Sequence, residues 1–314
     1  MRLTSCLFAA ALALAAAGSS AWGQGFPRKP VSVISAFPPG HLDMIVRTVD
    51  GPFQASFKQP LVVENRTGAG GNIAAEAVTR AAPDGQTLLI TVDTVVTVNP
   101  RLYPNLKFKA DADLVPIIYL TNSAQTLVCH PSVPVKSVSE LVAYARSHDL
   151  SYASGGQGVP GHLAAEMFLA ATGVRMTHVP YRGPTLALQD MMGGNVQCGF
   201  LSTAVVMPHV KSGKLIGLAV TSARRSPIAM ELPTMSEAGI AGFEAAFGDL
   251  VLAPKGTPVA IVDRQGQVFA STTPGLEGRV LQGDITPMRS VPDHIAKPSY
   301  AATGQVTRWS EDRV

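Results

Sequence analysis

The residues best placed to do chemistry in this chain are glycines. Four short turns, at 37–43, 68–72, 154–162 and 181–185, each leave a strand-like run and open a helix-like one. The first N–H groups of a helix have no intrahelical partner and sit at the positive end of its dipole. Each such turn can therefore hold an anion, for about 0.3–1 kcal/mol when exposed and more when shielded. Four of them with few charged residues nearby imply a cleft that grips carboxylates mainly through backbone amides, at the carboxyl ends of the strands.

Other chemistries find less support. Gly156-Gln157-Gly158-Val159-Pro160-Gly161 spells G-x-G-x-x-G. A dinucleotide site also wants an acid about 20 residues on for the ribose, where Pro180, Tyr181 and Arg182 stand instead. His41 and Asp43 are two apart and His162 and Glu166 four apart, but neither pair has a third ligand at motif spacing. His162 is expected to brace a loop or cap a helix. No G-x-S-x-G elbow is present, and Ser154 has no identifiable base in the sequence. Met191, Met192 and Phe200 read as core. No metal, cofactor or catalytic constellation is expected. The rival class, an exported hydrolase-like α/β enzyme, would place a nucleophile–base pair or a metal trio in the cleft.

The elements that must position these turns alternate. Strand-like runs fall at 30–36, 61–64, 87–92, 126–129, 151–154, 177–179, 196–200, 215–221 and 250–253. Helical patterns fall at 42–57, 73–81, 138–146 with Ser137 as N-cap, 162–171 and 185–192. This order predicts an α/β fold built on parallel sheets. A helix is expected at 260–270 despite Gly266, and beyond it Pro287, Pro292, Pro298 and Gly304 break the pattern.

Composition bounds the partners. The 314 residues are 46% hydrophobic and 15% charged, with a net charge of +3, too small and scattered to argue for nucleic acid. Gly 29 and Pro 24 come without a G-X-Y period, so a collagen-like chain is excluded. Residues 1–23 read as a cleaved secretory leader: Arg2, an apolar run from Leu7 to Ala17, then small residues around Ala21 and Gly23. No later stretch approaches the roughly 20 apolar residues that cross a bilayer, so no membrane insertion is expected. Cys129 and Cys198 lie in apolar runs and are expected as buried free thiols, a disulfide between them being the alternative.

A family resemblance covers most of the chain, from about Phe26 to Val262. FPPG after a strand, VVENRTGAGGNIAAEAV, AAPDGQTLL, NPRLY, HPSVPVKSVSEL, YASGGQG followed three residues on by HLAAE, HVPYRG, LPTMSEAG and LAPKGTP occur in that order. The series strongly resembles the exported solute receptors of tripartite tricarboxylate transporters, the Bug-type proteins. The resemblance implies a two-lobed periplasmic binding protein of the type II fold with two crossover segments. Lobe 1 would comprise 24–125 and 248–314, and lobe 2 would comprise 126–247. It also implies a monomer in the periplasm that passes a small carboxylate to membrane permease subunits, or a receptor repurposed for sensing. Carried over by position, Phe37, Pro39 and Gly40 would line the first-lobe wall, and Gly70, Gly71 and Asn72 would border it with Thr94 nearby. Ser154, Gly156, Gln157, His162, Tyr181, Arg182 and Gly183 would close from the second lobe, with Ser202 and Thr203 just past a strand.

The chain also departs from the pattern. The family's first loop usually runs Phe-x-Pro-Gly-Gly, two residues, then Asp. Here Gly40-His41-Leu42-Asp43 is one residue shorter and has His41 for the second glycine. That histidine would either block backbone approach to an anion or add an imidazole donor.

Overall fold

The computed structural model describes residues 26–262 and 268–271. The expected leader and the helix-breaking residues from Pro287 onward lie outside them. The chain opens with β1 (Val31–Ser35), an apolar run that ends where Pro38 and Pro39 can donate no backbone hydrogen bond. Helix α1 (His41–Phe57) follows, burying Leu42, Asp43 and Val46. Next come β2 (Leu61–Asn65), a glycine turn, α2 (Asn72–Thr79) and β3 (Thr87–Val92). Three single-turn helices, α3 (Thr94–Thr97), α4 (Asn99–Leu102) and α5 (Ala110–Asp113), lead to the long β4 (Leu114–Cys129). Helix α6 (Val138–Ala145) starts at Ser137, whose hydroxyl accepts the Glu140 N–H as the sequence predicts.

The remainder alternates as β5 (Ser151–Ser154), α7 (Pro160–Thr172), β6 (Thr177–Pro180), α8 (Pro184–Met192), β7 (Cys198–Ser202), α9 (Thr203–Lys211) and β8 (Ile216–Val220). Strand β9 (Ala246–Pro254) then returns to the first part of the molecule.

Among the described residues these strands form one nine-stranded sheet in two halves. In the first half the order is β2-β1-β3-β9-β4, with β1 parallel to β2 and β3, and β9 antiparallel to β3 and β4. In the second half the later residues of β4 pair antiparallel with β7 and β8, while β5 lies parallel to β6 and β7. The strand β4 therefore belongs to both halves, and β9 runs beside it. Each half has its own core. In the first, Val33, Leu42, Val78, Leu89 and Leu252 come together. The second packs on both faces of its strands, around Leu141, Phe168 and Phe200 on one side and Leu188, Met191 and Val206 on the other.

Four expectations are corrected. The sheet is mixed rather than parallel, because β4 and β9 cross between the halves and meet each neighbour antiparallel. The run expected at 126–129 is only the end of β4. Its earlier residues include the apolar run 114–120, unassigned from sequence; Pro116 interrupts that run where the register slips, and Ile117, Ile118 and Tyr119 are exposed. The helix expected at 260–270 is replaced, where described, by two antiparallel strands, β10 (Ala260–Val262) and β11 (Val268–Ser271). Cys129 and Cys198 form a disulfide rather than free thiols. They are direct partners in the β4–β7 register, which sequence alone does not display.

Candidate functional site

The carboxyl ends of the strands from both halves face one another across two adjoining cavities. The larger, of about 200 Å³, is walled by Phe37, Pro39, Gly40 and His41 from the first half, Ser123 and Gln125 of β4, and Pro160, Thr185 and Ser202 from the second. Four helix N-termini, those of α1, α7, α8 and α9, open onto it. Among the described residues no Asp, Glu, Lys or Arg side chain lines it. The smaller, of about 130 Å³, is walled by Gly70 and Gly71 on one side and Gly156, Gln157, Tyr181, Arg182 and Gly183 on the other, with Phe37, Pro38 and Gly155 shared between the two.

Close approach is what the glycines permit. A Cβ on Gly161 would lie 2.2 Å from the carbonyl oxygen of Phe200, so only glycine lets α7 begin directly on β7. Gly183 has φ +122, and a Cβ there would lie 2.4 Å from Cγ of Pro38, a residue of the opposite half. Two hydrogen bonds bridge the same gap: Tyr103 Oη donates to the Gln157 carbonyl at 2.9 Å, and Thr185 Oγ1 to the Pro39 carbonyl at 3.4 Å. The halves are therefore closed over the cavities.

Other residues singled out in the sequence lie beneath the walls. Asn72 accepts from Asn99 Nδ2 at 2.7 Å, and Asn99 also donates to the Gly70 carbonyl, so the pair braces the first glycine turn. Thr94 is buried, and its hydroxyl has no partner among the described residues. Thr203 Oγ1 accepts from Thr126 Oγ1 and donates to the Ala124 carbonyl, fastening α9 to β4.

Ser154 is wholly buried; its Oγ accepts from Gly156 N and lies 2.7 Å from Nε2 of His178. The His178 ring stacks on Tyr152 at 4.7 Å and approaches His162 at 4.4 Å. His162 Nδ1 accepts from Gly158 N at 3.2 Å, the loop-bracing role expected of it. Burial, then neighbouring His162, holds His178 down to about 4, and burial lowers His162 as well. Both imidazoles are thus neutral at pH 7, as an Nδ1 acceptor requires. Ser154 does have a histidine beside it, a partner the sequence did not reveal. The pair nevertheless lies under the loop, lining neither cavity, with its serine oxygen already bonded to the backbone. Tyr181, pushed up to about 12 by burial and then by its bond to Asp190 at 2.6 Å, anchors its turn to α8 as a neutral phenol.

The imidazole of His41 turns to the crossover strands. Its Nε2 lies 2.7 Å from Asp249 Oδ2 and 2.8 Å from Ser123 Oγ, while Ser123 also donates to Asp249 at 2.5 Å. The trio contains the residue types of a serine hydrolase without its geometry. A relay needs the acid on the ring nitrogen opposite the serine, whereas here one nitrogen meets both and the acid takes the hydroxyl proton itself. Among the described residues no three His, Cys, Asp or Glu gather closely enough to hold a metal ion.

Sequence reasoning missed Ser123, Gln125, Asp249, His178 and Tyr103. Tyr103 stands in the NPRLY string, and Ser123 and Gln125 lie on the polar stretch 121–125 of β4, which carries no strand signal of its own.

A mixed sheet in two halves, crossed twice and closed over a cleft of helix N-termini, has the architecture of a binding protein of the periplasmic type. The sequence matches the tripartite tricarboxylate transporter family receptor over residues 45–305, and the chain belongs to that family. It is 33% identical to protein BugT of Bordetella pertussis, over 99% of this chain and 97% of that one. Among solved structures it resembles the Rhodopseudomonas palustris protein Rpa4515 with adipate, at TM-score 0.72 and 34% identity, covering 74% of this chain and 79% of that one. It also resembles MatC of the same organism with bound malate, at TM-score 0.69 and 31% identity, covering 74% and 80%. The family is one of periplasmic receptors, and no helix among the described residues is long and apolar enough to cross a membrane.

Proposed function

We propose that this chain captures a small carboxylate between two lobes, 24–125 with 248–314 and 126–247, and presents the closed form to the membrane permease subunits of a tripartite transporter. In this reading residues 1–23 direct export and are removed, and the mature receptor acts as a monomer. The observation that carries it is the convergence of four helix N-termini on a cavity that, among the described residues, no Asp, Glu, Lys or Arg side chain lines. An anion there replaces water with oriented N–H groups and needs no salt bridge. Binding at about 1 μM requires about 8 kcal/mol. Several amide hydrogen bonds to a charged group, at about 1.5–3 kcal/mol each, can supply it after the costs of association. Adipate and malate in two similar receptors support the class of ligand. The test is thermal unfolding of the purified chain across a panel of mono-, di- and tricarboxylates. A saturable rise in Tm with at least one of them is expected, and flat melting curves across the panel would refute the reading.

A further inference from the structure

The larger cavity is lopsided. Helices α7, α8 and α9 turn their N-termini to it with no acidic residue in the first turn. Helix α1 instead carries Asp43 in its first turn and leans, through His41, on the wholly buried carboxylate of Asp249. The wall built by the second sheet half is therefore the more electropositive, whereas on the facing wall Asp43 and the Asp249 carboxylate beside His41 offset the dipole of α1. On the positive side two neutral side chains await partners. Gln125 is 5% exposed and lines the cavity, and its carboxamide makes no hydrogen bond with a described residue. Ser202 sits opposite it in the β4–β7 register and is the N-cap of α9, yet its hydroxyl caps no backbone N–H. A carboxamide that faces the cavity without a partner among the described residues is free to hydrogen-bond a group that enters it. Much of the remaining surface is hydrocarbon, from Phe37, Leu42, Val92, Leu188 and Val205.

We infer that the ligand is charged at one end only: a monocarboxylate with a hydrocarbon body. Its carboxylate is held by the Gln125 carboxamide N–H, the Ser202 hydroxyl and the first-turn N–H groups of α9, and its body lies against Phe37, Leu42 and Leu188. This rests on the receptor reading above and narrows it. A second carboxylate would face the wall where Asp43 and Asp249 offset the α1 dipole, and among the described residues no Lys or Arg lines the cavity to meet it. An α-amino group would find no lining carboxylate.

The test is calorimetric titration of the full-length mature chain, freed of bound ligand, with matched acids. Heptanoate is compared with pimelate, and cyclohexanecarboxylate with cyclohexane-1,4-dicarboxylate. Each monoacid is expected to bind at least tenfold tighter than its diacid, and Gln125→Leu to weaken the monoacid at least tenfold with an unchanged circular dichroism spectrum. Diacids that bind as tightly or more tightly would overturn the inference and leave the receptor reading standing. Binding of no acid at all would overturn both. Wild-type affinity in Gln125→Leu would overturn the assigned carboxylate position. If that variant fails to fold, Ser202→Ala carries the same expectation and the same refutation.

Discussion

Replacing Gly183 with alanine puts a methyl group where the ring of Pro38 already sits. The new carbon would lie 2.4 Å from Pro38 Cγ and 2.7 Å from Cδ, where carbon contacts relax at about 3.5–4.0 Å. The Pro38 loop must retreat by about 1 Å or more. Because the two residues belong to opposite halves, the least costly retreat is partial opening. Opening forfeits the Tyr103–Gln157 and Thr185–Pro39 hydrogen bonds, each worth about 0.5–1.5 kcal/mol. Closure should lose about 1–3 kcal/mol, which raises Kd about 5- to 150-fold. The same substitution strains a backbone at φ +122 by about 1–3 kcal/mol. That strain is present in open and closed forms alike, so it lowers stability toward urea but cancels in the affinity. Gly173→Ala separates the two effects. Gly173 has φ +69 at the end of α7, and a methyl group added there would meet nothing within 4 Å, so this variant should lose stability and keep its affinity. Titration calorimetry with a bound carboxylate and urea unfolding measure the two quantities. A folded Gly183→Ala protein with wild-type affinity would show that this contact is no part of the bound state.

Two further outcomes concern stability. Reducing the Cys129–Cys198 bond, or replacing both cysteines with alanine, frees a loop spanning a sequence separation of 69; chain entropy alone assigns it about 4 kcal/mol. Scanning calorimetry should show a lower Tm on reduction, and an unchanged Tm after verified reduction would refute the assignment. The fold holds His178 at about 4 against 6.5 in the unfolded chain, so unfolding takes up a proton between those values. Stability should therefore fall as pH drops from about 6.5 to 4. Urea unfolding of His178→Gln should show a shallower fall over that range, and an unaltered slope would place the proton uptake elsewhere.

What the sequence made legible follows from what periodicity and punctuation encode. Strands such as Val31–Ser35 and Thr87–Val92 are short, largely apolar runs bounded by turn residues, and they form where expected. Glycines and prolines marked the turns that open the helices. Side-chain direction was not encoded: Ser154, His162, Asn72 and Thr203 stand in the right segments but point beneath the walls. Nor was pairing between distant strands. Asp249 meets His41 and Ser123 only because β9 lies beside β4, and Gln125 meets Ser202 only through the β4–β7 register. The disulfide was hidden for the same reason.

The late return of β9 gives the molecule a schedule for folding. Strand β3 lies between β1 and β9, and its Leu89 pairs with Leu252, from beyond the whole second half. A chain emerging with its N-terminus first therefore presents the apolar edge Leu89–Val92 with no neighbour until most of the polypeptide has followed. An unpaired edge of that composition invites pairing with other chains. The second half, by contrast, finds all its strand partners between β4 and β8 and can consolidate while the first waits. Contacts of such long range are slow to form, so the interval before β9 docks is when this chain most needs protection from its own copies.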